Sequence, residues 1–260
     1  MLLESCHERQ WEKQNGPIHS YANKLKDWDT RVWEKAWVNR IGLFLRLWVI
    51  RNFEQKKINT SINKFEIRMS HDLDAIEKTI PIIIKQSLLM MYRGKWRAAI
   101  SFIISKEENW FTLPYLFKQE NNLNPKPIIN VHYRERWRGP LRWLMDPSYL
   151  INRKDLKSYL KQAINNNWSI GLHPSFISWN SSKIIKRERN NLEKDLGIKI
   201  KSIRQHWLRF SWEKTWKSQS IAGLNFDTTL MFNDIKGFRN SAAIDFNSFY
   251  GPKGHKVRST

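Results

Sequence analysis

The 260-residue chain contains a single cysteine, Cys6. No disulfide framework and no thiolate metal cluster can form within it, and such usage suits a reducing compartment. Acidic residues are scarce as well: 24 Asp and Glu stand against 45 Lys and Arg, for a net charge of +21. A field of that sign attracts anionic partners such as nucleic acid, acidic glycans or anionic lipid. No apolar run near the N-terminus approaches the roughly 20 residues that span a bilayer. The longest, Ile41 to Ile50, is broken by Arg46. The opening MLLESCHERQ has no apolar leader segment, so the expected location is cytoplasmic. The chain also lacks H-x-x-x-H, C-x-x-C and any internal repeat, so no single spacing motif assigns its chemistry.

What is present is enough to fold. Hydrophobic residues make up 41% of the chain and Trp occurs 14 times, which supports one sizeable core and argues against disorder. Residues 1–20 are polar and read as loose. From Ala22 to Phe53 an amphipathic pattern runs through Trp28, Val32, Trp33, Trp37, Ile41, Phe44, Leu45 and Trp48 at three- and four-residue steps. It predicts one long helix or two shorter ones packing on the main domain. Because Lys and Arg lie between the apolar positions, a membrane-surface helix, peripheral at the inner membrane surface, is the alternative. Residues 54–64 are a polar connector. The organisation is thus an N-terminal helical extension over 1–60 and an α/β domain over 61–260.

Within that domain strands are expected at 65–71, 127–133, 168–173, 198–207 and 224–227. Helices are expected at 75–92, 96–105, 109–120, 152–166, 181–196 and 211–222. A basic, Trp-containing loop fills 134–152 and another loop 237–241. Repeated strand–helix alternation of this kind gives a parallel sheet, doubly wound or barrel-like, with chemistry at the strand C-termini. The stretch FEIRMSHDLDAIEK (65–78) shows it best. Alternation through Phe65, Ile67 and Met69 ends at Asp72 and Asp74, two apart and therefore on one side if extended.

The polar residues at strand ends are His71, Asp72, Asp74, His132, His173, Arg204, His206, Arg209, Asp227 and, in the last loop, Arg239. Carboxylates and imidazoles converging in a cleft suit a divalent ion such as zinc, iron, cobalt or nickel rather than calcium or magnesium. A carboxylate outside the ligand set can act as general base. His132 reads instead as a packing residue, since its loop neighbours are basic, and Asp72 or Asp74 alone could cap the following helix.

Five segments, SHDLD, IGLHPS, RQHWLRF, GLNFDTTL and GFRNS, occur in this order. Together they resemble the polysaccharide deacetylase (NodB-homology) superfamily, in a divergent bacterial branch found with surface-glycan biosynthesis genes. The resemblance covers residues 65–250. It implies a deformed (β/α) barrel, here incomplete at its C-terminal end, and hydrolysis of acetyl groups from a carbohydrate with one divalent metal, zinc first. By this resemblance Asp72 is the general base, Asp74 a metal ligand, and Arg204 or Arg209 the arginine that orients the base. The family's second motif supplies two histidines four apart; here only His173 is present, because residue 177 is Ile. His206, at the end of a neighbouring strand, is placed to be the third ligand. Arg239 would bind a substrate carboxylate or phosphate, with Asp227 and His71 as further substrate contacts. The family's late histidine acid has no match but His255, in a Gly/Lys tail.

The expected function is metal-dependent removal of acetyl groups from a glycan or a lipid- or nucleotide-linked glycan precursor, in surface polysaccharide metabolism. The alternative is a catalytically inactive member that binds or assembles glycans. Nucleic-acid binding ranks last, for want of a fold motif beside the charge.

Overall fold

A computed structural model describes residues 5–19, 29–53, 66–105, 110–232, 236–250 and 255–259. Phe65, the connector 54–64 and Ala22 to Trp28 of the expected N-terminal helix lie outside them. The strands are β1 (Ser70–Leu73), β2 (Ile128–Val131), β3 (Ser169–Leu172), β4 (Ser202–Ile203), β5 (Phe226–Asp227), β6 (Phe246–Tyr250) and β7 (His255–Ser259). They form one sheet in the order β1-β2-β3-β4-β5-β7-β6. The first five are parallel and add in chain order, β7 continues parallel to β5, and β6 runs antiparallel on β7. One-directional addition is the winding of a (β/α) barrel. The protein is α/β as expected, but the sheet is open between β1 and β6, not a closed barrel. The β6–β7 hairpin was not anticipated.

Register divides the sheet into two unlike faces, because side chains alternate along a strand and paired residues share a side. Leu73, Val131, Leu172 and Ile203 are neighbours on one face, with Ile129 and Ile170 two residues earlier. All six are buried in the main core. Asp72, Asn130, Gly171 and Ser202 are neighbours on the other face. That face is small and polar, and it leads to the functional residues.

The apolar face is covered by α6 (Leu113–Glu120), α8 (Lys154–Asn165) and α9 (Ser182–Leu196). They contribute Leu113, Leu156, Leu160, Ala163, Ile185, Leu192 and Leu196 to the core. Ser181 caps α9 by accepting the Ile184 N–H, and Gly197 ends it at φ 72°, the left-handed position at which Gly carries no Cβ penalty. The helical hairpin α4 (Ile80–Tyr92) and α5 (Trp96–Ile104) lies between β1 and α6 in the chain. α4 begins five residues later than the pattern indicates because Pro81 occupies its first turn. Deeper in a helix its ring would clash with the carbonyl four residues back. The loop 134–152 contains an unforeseen helix, α7 (Pro140–Met145), also started by proline. The expected strand 198–207 shrinks to β4. The Ile200 N–H goes to the Glu193 side chain instead, and the chain turns sharply at 206–208. The final helix, α10 (Thr215–Ile221), starts after a turn closed by Ser211.

The N-terminal segment is less loose than its polarity indicates. Residues Cys6–Asn15 form α1, with Glu8 and Glu12 buried. Glu12 accepts the Trp212 backbone N–H at 2.8 Å and Glu8 accepts its indole N–H at 2.8 Å. A short helix α2 (Arg31–Glu34) and the long α3 (Trp37–Asn52) follow. The turn between them is tied to the C-terminal loop: Val38 donates to Ser241 O and Phe238 donates to Trp33 O. Of the two shorter helices, α2 packs through Trp33, which is buried against Ile18 and Phe232, whereas α3 is tied at its start and none of its residues is buried. Phe44 is 66% exposed and Leu47 53%.

Candidate metal centre

The polar face of the sheet continues past the strand ends with the same alternation. Asp72 leads to Asp74, Asn130 to His132, Gly171 to His173, and Ser202 to Arg204 and His206. Short parallel strands in register therefore deliver these side chains to one place. Asp72, Asp74, His173 and His206 line a cleft of about 300 Å³ with Ile82, Lys85, Trp110, Trp207 and Met231.

Asp72 is held from two sides. Asn130 Nδ2 donates to its Oδ1 at 2.9 Å, and Arg204 Nη1 donates to the same oxygen at 3.1 Å. Arg204 is itself 6% exposed. It donates to Ser70 Oγ at 2.5 Å and to the Thr228 carbonyl at 3.0 Å. Ser70 of β1 and Thr228 after β5 thus fix one guanidinium, and the guanidinium fixes one carboxylate.

Asp74, His173 and His206 form a tighter group. His173 Nε2 and His206 Nδ1 are 2.8 Å apart. The Asp74 carboxylate lies 3.2 Å from the first and 3.3 Å from the second. For ligands at about 2.0–2.1 Å from one tetrahedral ion, neighbouring ligand atoms are about 3.3 Å apart, so these separations are close to those of a coordination shell. The tautomers agree. His173 Nδ1 contacts the Arg204 carbonyl at 2.8 Å and His206 Nε2 contacts the Met145 carbonyl at 2.8 Å. A carbonyl only accepts, so both nitrogens carry hydrogen. The two nitrogens that face each other then present lone pairs, an arrangement that requires a cation between them or an added proton. Tying the far nitrogen to a carbonyl is how ligating histidines are commonly oriented. Two imidazole nitrogens and a carboxylate oxygen fit zinc, cobalt, nickel or iron.

Electrostatics point the same way. Burial pushes the Asp74 carboxyl up, but hydrogen bonds and charge from both imidazoles pull it far below the carboxylate range. Burial opposes charge on His173, yet Asp74 and Asp72 raise its pKa above the ordinary value. His132, fully buried nearby, is driven well down by burial and by His206, so it stays neutral. It contacts the His173 carbonyl at 3.0 Å through Nδ1, in keeping with a packing role.

The turn that presents His206 is strained: Trp207 has φ 58° and Leu208 φ 47°, a region costly for residues with a Cβ. It leaves the Trp207 ring 41% exposed at the cleft, with Lys85 Nζ 5.3 Å from its centroid. Burial lowers the Lys85 pKa, partly offset by Asp74 and Asp146.

Four expected site residues are taken up elsewhere. Arg209 Nη1 donates to Phe176 O at 2.8 Å, and the guanidinium lies 4.0 Å from the Phe176 ring centroid. Of the two candidate arginines, Arg204 is the one that contacts Asp72. Arg239 is buried with its guanidinium 5.6 Å from the Phe210 ring centroid and 3.8 Å from Glu8. Asp227 accepts from Trp216 Nε1 and Gln219 Nε2, each at 2.9 Å, and from Thr229 Oγ1. His71, on the opposite face of β1 from Asp72, contacts Glu120 at 2.7 Å. None of these four lines the cleft.

Other contributors were missed. Asn130 was legible only as the one polar residue in the run PIINV. Arg142, on α7, had no signal at all. It donates to Asp146 at 2.8 Å, Glu135 at 2.6 Å and Glu188 at 3.1 Å. Asp146 and Glu188 in turn accept the Phe176 and Ser175 backbone N–H groups. This network clamps the loop after His173 to the helix whose Met145 carbonyl holds His206.

No family model and no curated protein matches the sequence. The solved structures similar to it include the following two. One is described as a candidate polysaccharide deacetylase from Mycobacterium smegmatis, at TM-score 0.39 and 12% identity over 76% of this chain. The other is a mutant of a CE4 family pseudoenzyme with restored enzymatic activity, at TM-score 0.29 and 13% identity over 62% of this chain. The chain spans 60% of the length of the first and 44% of the second.

Proposed function

We propose that the chain is a metal-dependent hydrolase that removes acetyl groups from a carbohydrate. One observation carries the hydrolytic part: an Asp74–His173–His206 group of metal-ligand dimensions beside a separately held carboxylate, Asp72. The carbohydrate and the acetyl group come from the five-motif resemblance. On this reading Asp74, His173 and His206 hold one divalent ion, zinc foremost. The chemistry such an ion supplies is polarisation of an acyl oxygen and a bound water acidic enough to ionise near neutral pH.

Asp72 then acts as general base. Its Oδ1 is anchored by Arg204 and Asn130, and it lines the same cleft as the ligand group. Arg204 prevents Asp72 from turning away by holding its Oδ1. Trp207 offers an exposed ring for a sugar face, and Lys85 beside it favours an anionic or polar sugar substituent. Arg239, Asp227, His71 and Arg209 act structurally in this reading, through the contacts described above. The exposed apolar residues of α3, together with its purely basic charges Arg40, Arg46 and Arg51, favour the surface-helix alternative for that segment.

The test is acetate release from a panel of N- and O-acetylated oligosaccharides by the zinc- or cobalt-loaded protein. The expected result is metal-dependent release that Asp72→Asn and Asp74→Ala abolish. Metal binding without release, with glycan retention on a binding array, would transfer the protein to the glycan-binding alternative. Failure to bind a divalent ion ends the hydrolase reading.

A further inference from the structure

The hairpin α4–α5 has one side in the cleft and the other uncovered among the described residues. Ile82 and Lys85 of α4 line the cleft. Away from the cleft lining Ile80, Ile84 and Leu88 recur every four residues, and Tyr92, at the end of the helix, is 89% exposed. On α5 the stripe continues through Trp96, Ile100, Ile103 and Ile104, with Trp96 61% and Ile104 69% exposed. The hairpin base is closed by Lys78 Nζ, which donates to the Ser105 carbonyl at 2.7 Å and to the Phe102 carbonyl. The apolar stripes therefore belong to an ordered hairpin.

The charges on this hairpin have one sign. Between Thr79 and Ser105 the chain has no Asp or Glu, and its basic residues are Lys85, Arg93, Lys95 and Arg97. Lys85 faces the cleft. The other three surround the tip, interleaved with Tyr92 and Trp96. Aromatic rings with one apolar and one polar end sit at the boundary between headgroups and acyl chains. Basic residues beside them are drawn to anionic headgroups. A water-facing protein surface has no use for a stripe of this length. No helix among the described residues is long and apolar enough to cross a membrane. α4 has 13 residues and α5 has 9, far below the roughly 20 needed. The hairpin can lie in an interface but cannot span.

We propose that the α4–α5 hairpin docks on an anionic bilayer surface, with Tyr92 and Trp96 inserted at headgroup depth and Arg93, Lys95 and Arg97 on the phosphates. Because the other side of α4 lines the cleft, docking sets the cleft beside the bilayer. On the function proposed above, that position selects lipid-linked glycans as substrates. Lipid binding itself is independent of whether the cleft hydrolyses anything.

The experiment uses the full chain with Cys6→Ser and Tyr92→Cys, carrying an environment-sensitive fluorophore on the introduced thiol. Vesicles of phosphatidylcholine alone are compared with vesicles containing phosphatidylglycerol. The expected result is co-sedimentation with the anionic vesicles, a blue shift of the probe on them, and neither on the neutral ones. In the unlabelled protein, Arg93→Glu with Lys95→Glu and Arg97→Glu lowers the apparent affinity at least about tenfold. These side chains are exposed, so the variant is expected to fold, which circular dichroism checks. Absence of vesicle binding overturns the proposal. So does binding through another surface, seen as co-sedimentation with no change at the probe. A dimer by light scattering that Tyr92→Ser with Trp96→Ser converts to monomer would assign the hairpin to a second copy of the chain, and likewise overturns it.

Discussion

His173 Nε2 and His206 Nδ1 face each other at 2.8 Å while the far nitrogen of each ring is held by a backbone carbonyl. Neither ring can turn its N–H toward the other without losing a buried hydrogen bond. The pair therefore needs a cation or an added proton between the rings, and the metal reading is the one to test. One equivalent of zinc, cobalt or nickel per chain is expected by elemental analysis after reconstitution. His173→Ala and His206→Ala should each weaken binding by at least about a hundredfold, more than loss of a supporting group does. Full retention of metal in either variant would break the ligand assignment.

Asp72 stands beside the proposed ligand group without belonging to it: its Oδ1 is 3.9 Å from His173 Nδ1, the nitrogen that faces the Arg204 carbonyl. Asp72→Asn should leave metal stoichiometry intact and lower acetate release by about a hundredfold or more, as expected for loss of a general base. Arg204→Lys should follow in the same direction. An ammonium cannot reach Asp72, Ser70 and Thr228 together as the planar guanidinium does. A variant pair in which metal content falls and turnover is unchanged would reverse these roles.

The parts of this site that were legible in the sequence are those set by alternation. Asp72 and Asp74, then His173, then Arg204, sit where period-two strands put them, whereas His206 is presented by the turn 206–208. What was not legible depends on what covers a face or how a turn bends. Trp37, Ile41, Phe44, Leu45 and Trp48 have the spacing of a core helix, yet the helix is exposed. Periodicity reports that one side is apolar, not what lies against it. Arg204 and Arg209 looked equivalent because the left-handed residues Trp207 and Leu208, which send Arg209 to Phe176, leave no mark in the pattern. β4 and β5 have two residues each, too few for any period to mark their ends. The Arg142 cluster runs from Glu135 to Glu188, with Arg142 and Glu188 46 apart in the chain, and only tertiary structure brings such residues together.

Glu188 gives that cluster a pH signature. Arg142 contacts Glu135, Asp146 and Glu188, and Arg187 shares only Glu135, so two guanidiniums serve three carboxylates. The most buried of them gives way: burial pushes Glu188 from 4.5 up to about 7, with Asp146 adding to the rise. Below pH 4.5 the group is protonated in folded and unfolded chains alike and its contribution to stability is complete. As pH rises toward 7 the unfolded chain releases the proton first, so stability falls. The loss attributable to this group is at most about 3 kcal/mol. Urea unfolding followed from about pH 5 to about pH 8 should show a steeper decline for the wild type than for Glu188→Gln, which keeps an acceptor for Ser175. Parallel pH profiles would remove Glu188 as the source.

Gly171 connects the sheet to the chemistry. It lies between Asn130 and Ser202 in register on the polar face. A Cβ there would come within 2.2 Å of Asn130 Oδ1 and 2.8 Å of Ser202 Oγ. Asn130 is fully buried and donates to Asp72, so it cannot swing into solvent to make room. Gly171→Ala should therefore do two things at once. Overpacking should cost about 1–3 kcal/mol in urea unfolding. The displaced Asn130 should release Asp72, so that turnover falls while metal affinity, set by Asp74, His173 and His206, holds. Asn130→Ala on top of Gly171→Ala should recover much of the stability, because it removes the clashing atoms, but none of the turnover. Recovery of both would mean that Asn130 fills space without positioning Asp72.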